Sequence, residues 1–215
     1  MARAGSRTRL PEAHLYVFDL DGTLVDSNRI KWRAFERCFA GPEFAARRGE
    51  ILSYCRGNNH TTRSEKFRRV YERILSLPYT ADAERRLHRL FERETSRAII
   101  GAPEVPGASR FLESVRRRAH TAILSSTPHP ILREILEARG WLRYFDLQRG
   151  APVVKATWLK GLQGLGYPAD RILFFGDSPE DARAAEEAGC PFVTLGEAAL
   201  PGSHLTVPDF RSLLP

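Results

Sequence analysis

Apolar positions along this chain recur with two different periods, and the change from one to the other divides it. Leu15 to Phe18 is a short continuous apolar run that ends on a carboxylate. From Arg29 to about Ile100 the period is helical. Phe67, Val70, Tyr71, Ile74 and Leu75 follow the i, i+3, i+4, i+7, i+8 spacing of one buried helical face. Leu87, Leu90 and Phe91 begin a second stripe after a break at Pro78, and Gly41-Pro42 and Gly57-Asn58-Asn59 mark earlier breaks. Beyond Pro103, short apolar runs alternate with helical stripes. A helix opening at Gly107, with Phe111, Leu112 and Val115 inward, leads to a strand at Thr121–Leu124. A helix carrying Ile131, Leu132, Ile135 and Leu136 follows, then a strand at Tyr144–Leu147 and a helix with Trp158, Leu159 and Leu162 inward. Arg171–Phe175 reads as a strand, Pro179–Ala188 as a helix and Phe192–Leu195 as a last strand.

Strands alternating with helices imply a parallel sheet, and strands that are apolar throughout imply burial on both faces. The expected fold is therefore α/β, a doubly wound three-layer parallel sheet, with an all-α cap inserted after its first strand. In domain terms, residues 14–27 and 101–215 form a discontinuous α/β core and 28–100 the helical cap. Residues 1–13 are expected to form a basic, disordered N-terminus. In open sheets of this kind ligands lie beyond the carboxyl ends of the strands, so the chemistry is sought there.

Composition narrows the class. With 42% hydrophobic and 27% charged residues, the 215-residue chain reads as globular rather than disordered. Its longest apolar runs are of strand length, far short of the roughly 20 residues that span a bilayer. The formal charge of +7 raises the question of nucleic acid. The basic residues are spread along the chain among acids, and only Lys31, Lys66, Lys155 and Lys160 are lysines, so neither nucleic acid nor a membrane is expected as partner. A small anionic substrate fits such a surface. Met1 to Arg9 is Arg-rich but has no apolar core of a leader segment. Cys38, Cys55 and Cys190 have no paired metal-ligand spacing, so a reducing cytoplasm is the expected setting.

The strand ends carry the candidate chemistry. The first ends in Asp19-Leu20-Asp21-Gly22-Thr23. Two carboxylates two residues apart on an extended chain project toward one side, repel each other, and suit a hard cation such as Mg²⁺. The strand at 171–175 ends in Gly176-Asp177-Ser178-Pro179-Glu180-Asp181, again acidic, with Asp181 also placed to serve the dipole of the next helix. Leu124-Ser125-Ser126-Thr127-Pro128 offers hydroxyls and backbone N–H groups ahead of a helix, a natural anion site. Lys155 follows Pro152-Val153-Val154 and opens a helix. Acids for a cation, donors for oxyanions and one ammonium make a set suited to a phosphoryl group.

With these motifs in this order, the chain resembles the haloacid dehalogenase superfamily hydrolases. The resemblance is to the subfamily of phosphoglycolate phosphatases and β-phosphoglucomutases, with a helical cap, and covers roughly residues 14 to 200 of a Rossmann-like core. It implies that Asp19 is the nucleophile, forming an aspartyl-phosphate, and that Asp21 is the general acid and base. It implies Mg²⁺ as cofactor, on Asp19, Asp177 and the backbone carbonyl of Asp21, with Asp181 in support. Asp19, Leu20, Asp21, Ser125, Ser126 (through its amide) and Lys155 would hold the phosphate. Members that act on carbon–halogen or carbon–phosphorus bonds lack the second Asp of the first motif, whereas Asp21 is present here. Two departures are Ser126, where many relatives carry Asn, and Lys155-Ala156-Thr157, where many carry Lys-Pro.

The polar segment Arg56-Gly57-Asn58-Asn59-His60-Thr61-Thr62-Arg63 of the cap, with Lys66 beyond it, is the candidate substrate contact, and Arg63, Asn59 and Lys66 are the residues chosen. The expected function is thus a Mg²⁺-dependent phosphatase acting on a small phosphate monoester, phosphoglycolate or a sugar phosphate. A sugar-phosphate mutase using the same nucleophile and a non-catalytic binding protein on this fold are the alternatives.

Overall fold

A computed structural model describes residues 10–58 and 61–214. The described residues divide into two compact units, one running to Asp26 and resuming at Pro103, the other Ser27–Ala102.

The first unit is built on six parallel strands, β1 (Leu15–Phe18), β2 (His120–Pro128), β3 (Leu147–Ala151), β4 (Ile172–Gly176), β5 (Phe192–Leu195) and β6 (Leu205–Val207), in the order β3-β2-β1-β4-β5-β6. The order reverses at β1, so its carboxyl end lies at the topological switch point. Alternate residues of β1 explain why all four are apolar. Leu15 and Val17 join Ile172 and Phe174 in a buried cluster with Leu159 and Leu162 of one helix and Ala182, Ala185 and Ala188 of another. Tyr16 and Phe18 turn the other way into an aromatic cluster with Phe111, Phe175 and Phe210, the Phe18 and Phe175 rings stacking at 4.9 Å. Each ring so buried contributes on the order of 1.5–3 kcal/mol. The two faces thus hold β1 level with its neighbours, Phe18 opposite both Ile123 and Phe175.

Two strand readings need correction. The segment Tyr144–Leu147 is not the third strand: Leu142–Tyr144 is a short 3-10 turn and the strand is Leu147–Ala151. Tyr144 and Phe145 are apolar because the turn buries them, and Asp146 accepts the Thr121 N–H at 2.8 Å. β6 was not anticipated, being a three-residue edge strand.

The second unit is helical: α1 (Asn28–Cys38), α2 (Arg48–Gly57), α3 (Arg63–Arg69) with a π-helical turn at Val70–Ile74, and α4 (Ala81–Ile100). Its core is largely aromatic, Phe35, Phe39, Phe44, Phe67, Tyr71 and Phe91 packing with Ile51, Leu87 and Val70. Thr62 caps α3 and Thr80 caps α4, each hydroxyl accepting a backbone N–H at 3.2 Å. In the first unit the helices are α5 (Ala108–Val115), α6 (His129–Ala138), α7 (Lys155–Gln163) and α8 (Pro179–Ala188). No described helix is long and apolar enough to cross a membrane.

Candidate functional site

The candidate residues of the α/β unit meet at the carboxyl ends of β1, β2 and β4. The Asp19 N–H continues the ladder by donating to Phe175 O at 2.9 Å, and the chain then turns sharply. Gly22 makes that turn possible: its φ is +87°, and a Cβ there would lie 2.0 Å from Asp177 Oδ2. Leu24 and Val25 N–H both return to Leu20 O, at 2.9 and 3.0 Å, closing the loop. Gly176 plays the matching part on β4, where a Cβ would meet Asp181 Cβ at 2.4 Å. Backbone without side chains at these two points lets three carboxylates converge.

Asp19, Asp177 and Asp181 each bring a carboxylate oxygen within 4.8 Å of the others. Lys155, the first residue of α7, spans two of them: its Nζ donates to Asp19 Oδ1 at 2.8 Å and to Asp181 Oδ1 at 2.6 Å. Asp181 Oδ2 accepts from the Ser178 amide at 3.2 Å and hydroxyl at 2.6 Å, while Ser178 Oγ accepts the Asp181 N–H, a capping box that opens α8. Asp181 thus caps α8 with one carboxylate oxygen and turns the other to Lys155.

Asp19, Lys155 and Asp181 are all buried, so charge balance there is decided with little help from water. Asp19 is pushed up to about 8, first by burial and, against the opposing pull of Lys155, by Asp181, Asp177 and Asp21. Burial on its own would lower Lys155, but Asp181 and Asp19 outweigh it and hold the ammonium above its ordinary range. Lys155 remains charged, and the deficit of positive charge falls on Asp19. A divalent cation would supply what is missing, and carboxylate oxygens are the donors that Mg²⁺ prefers. The residues present thus fit the ion.

Around this centre, the pairing of β2 slips between Leu124 and Pro128. Ser125 is buried and its Oγ accepts the Thr127 N–H at 3.1 Å. Ser126 is exposed, with its hydroxyl donating to Glu180 Oε1 at 3.3 Å. Thr127 Oγ1 donates to Asp21 Oδ2 at 3.1 Å, and Thr23 Oγ1 to Asp177 Oδ1 at 3.5 Å. Thr127, Thr23 and Glu180 were not singled out from sequence. All three lay within the motifs quoted, but nothing in the spacing of Thr127 pointed to an acid 106 residues away.

Of the substrate candidates in the helical segment, Asn59 lies outside the described residues. Lys66 is buried within the helical unit, its Nζ 5.1 Å from the Phe35 ring centre. Burial lowers its pKa. Arg63 is half-buried, 3.2 Å from Glu92 and stacked 4.9 Å from the Phe91 ring.

Residues 13–189 match the family model described as haloacid dehalogenase-like hydrolase. Among curated relatives, the phosphoglycolate phosphatase of Photorhabdus laumondii is 29% identical over 216 residues, 92% of this chain and 89% of that protein. That of Escherichia coli is 28% identical over 199 residues, 83% of this chain and 79% of that protein. Among solved structures, a haloacid dehalogenase-like hydrolase from Bacteroides fragilis superposes with a TM-score of 0.77 at 19% identity, covering 94% of this chain and 100% of that one. CbbY from Rhodobacter sphaeroides, solved in complex with phosphate, does so with a TM-score of 0.70 at 20% identity, over 92% and 95%. The β1 acids, the Lys155 bridge and the Gly176-Asp177 turn all fall inside the matched span, and the chain belongs to the haloacid dehalogenase-like hydrolase family.

Proposed function

We propose that this chain is a Mg²⁺-dependent phosphatase that hydrolyses a small phosphate monoester, of the phosphoglycolate or sugar-phosphate class, through an aspartyl-phosphate on Asp19. The observation that carries this reading is the buried Lys155 bridge between Asp19 and Asp181 beside a third carboxylate, Asp177. A lysine so held cannot serve as a base. It can steady the nucleophile and accept the charge of phosphoryl oxygens.

In the first step an Asp19 carboxylate oxygen attacks phosphorus as the ester P–O bond breaks, and Asp21 gives a proton to the departing alkoxide. In the second, water attacks the phosphorus of the acyl phosphate, Asp21 takes its proton, and the bond to Asp19 breaks to release inorganic phosphate. Leu20 and Asp21 in the turn after β1, Ser125 and the Ser126 amide on β2, and Lys155 on α7 surround the phosphoryl group in this proposal. Asp19, Asp177 and the Asp21 carbonyl, with Asp181 in support, would hold Mg²⁺, which would supply positive charge to balance the negative charge on the phosphoryl and leaving oxygens. The helical unit is the proposed cap, and choice among esters is assigned to Arg63, Lys66 and Asn59 on it. The curated phosphoglycolate phosphatases, aligned over most of their length, support the substrate class.

The test is phosphate release from a panel of monoesters with and without Mg²⁺. Turnover that needs the ion and is abolished in Asp19→Asn is expected. Wild-type turnover by that variant would reject the nucleophile, and isomerised sugar phosphate without free phosphate would reject hydrolysis.

A further inference from the structure

Strand β2 ends in three hydroxyls, and each is committed to a different partner. Ser125 Oγ accepts the Thr127 N–H, Ser126 Oγ donates to Glu180, and Thr127 Oγ1 donates to Asp21 Oδ2 at 3.1 Å. The commonplace use of a threonine at this point is to cap the following helix. That is not its use here. Helix α6 begins at His129 after Pro128, and its N-terminus has no side-chain cap. The Thr127 hydroxyl is turned instead toward a different strand end.

We propose that Thr127 is a positioning residue for Asp21, selecting the side-chain rotamer in which the carboxyl can exchange a proton with the ester oxygen. Three observations carry it. Asp21 is half-buried beside the Gly22 turn, and an aspartate side chain has several staggered rotamers from which one must be selected. The bond from Thr127 fixes the position of one of its two carboxylate oxygens. Thr127 is itself fixed, because its N–H is tied to the buried Ser125 hydroxyl. The same short turn that is proposed to receive the phosphate therefore also aims the proton donor, and the two groups are placed by one piece of backbone. The proposal rests on the phosphatase reading.

The experiment compares kcat/KM for an alkyl phosphate monoester and for p-nitrophenyl phosphate in wild type, Thr127→Val and Thr127→Ser. This constant covers steps up to phosphorylation of Asp19. An alkoxide needs a proton to leave, whereas a nitrophenolate does not. In Thr127→Val the alkyl ester should lose about tenfold and the aryl ester less than about twofold, since a positioned general acid is worth roughly a hundredfold or more. Thr127→Ser should restore the alkyl rate. Thr127→Ala serves the same comparison where valine prevents folding. An equal fall on both esters, or no fall on the alkyl ester, overturns the positioning role while leaving the phosphatase intact. Failure of the wild type on every ester overturns both.

Discussion

Lys155 Nζ and Asp181 Oδ1 stand 2.6 Å apart in an interior where neither side chain exposes more than 4% of its surface. The same ammonium reaches Asp19 at 2.8 Å, so one cation on α7 joins the ends of β1 and α8. A buried pair is worth less than its Coulomb energy suggests, but removing one partner leaves a charge that neither water nor protein compensates. Lys155→Met should therefore lower stability in metal-free urea unfolding by about 3 kcal/mol. It should also reduce phosphate release by at least about a hundredfold, as expected for loss of a preorganised charge. Unchanged stability would mean that the acids relax toward solvent once the lysine is gone.

Asp19 gives the metal-free protein a definite pH dependence. Its carboxyl is raised from 3.8 to about 8, first by burial and then, against Lys155, by the neighbouring acids. A group whose folded value is raised adds stability fully below its unfolded value and loses it as pH rises through the folded one. The thermal midpoint without metal should thus carry a component that declines between about pH 4 and pH 8. Asp19→Asn should remove that component. Mg²⁺ bound only by the folded protein should raise the midpoint, and by more at about pH 8 than at about pH 5. An increment that does not change with pH would place the ion away from Asp19.

Gly22 is the point where the turn and the acid cluster compete for space. Its φ of +87° is strained for any side chain, and an added Cβ would fall 2.0 Å from Asp177 Oδ2. Gly22→Ala should cost roughly 1–2 kcal/mol from the left-handed backbone alone, a drop of a few degrees in midpoint. The larger effect is on Asp177, which must swing aside. Mg²⁺ affinity, read by calorimetry, should weaken by about tenfold or more, since one carboxylate leaves the cluster. Full affinity in this variant would remove Asp177 from the ligand set.

Much of this site was legible because its parts sit where sequence patterns change. Leu15–Phe18 and Ile172–Phe175 are apolar without alternation, as strands buried on both faces must be, and each runs on into an acidic segment. Asp19 and Asp177 could therefore be placed just beyond strand ends from the sequence. Edge strands give no such signal. β3 is Leu-Gln-Arg-Gly-Ala, largely half-buried or exposed, and the neighbouring Tyr144 and Phe145 drew the strand assignment toward themselves. The link from Thr127 to Asp21 was hidden for another reason. It depends on the slip in β2 pairing after Leu124 and on a hydroxyl rotor, and neither leaves a periodic trace.

Asp181 has two jobs, and its two oxygens separate them. Oδ1 receives Lys155, while Oδ2 closes the capping box with Ser178 at the start of α8. Asp181→Asn keeps an acceptor for Ser178 and removes the charge facing Lys155. Asp181→Ala removes both, and Ser178→Ala breaks only the box. Loss of a cap costs about 1 kcal/mol, so Ser178→Ala should lower stability by that amount and leave phosphate release within a few-fold of wild type. Asp181→Asn should do the reverse in emphasis. Its fully buried position leaves Lys155 paired with Asp19 alone, so turnover and Mg²⁺ affinity should fall by about tenfold or more, while α8 stays capped. Asp181→Ala should show both losses. If Asp181→Asn matched Ser178→Ala in turnover, the role of Asp181 would be the helix start, and Asp19 would be balanced by Lys155 without it.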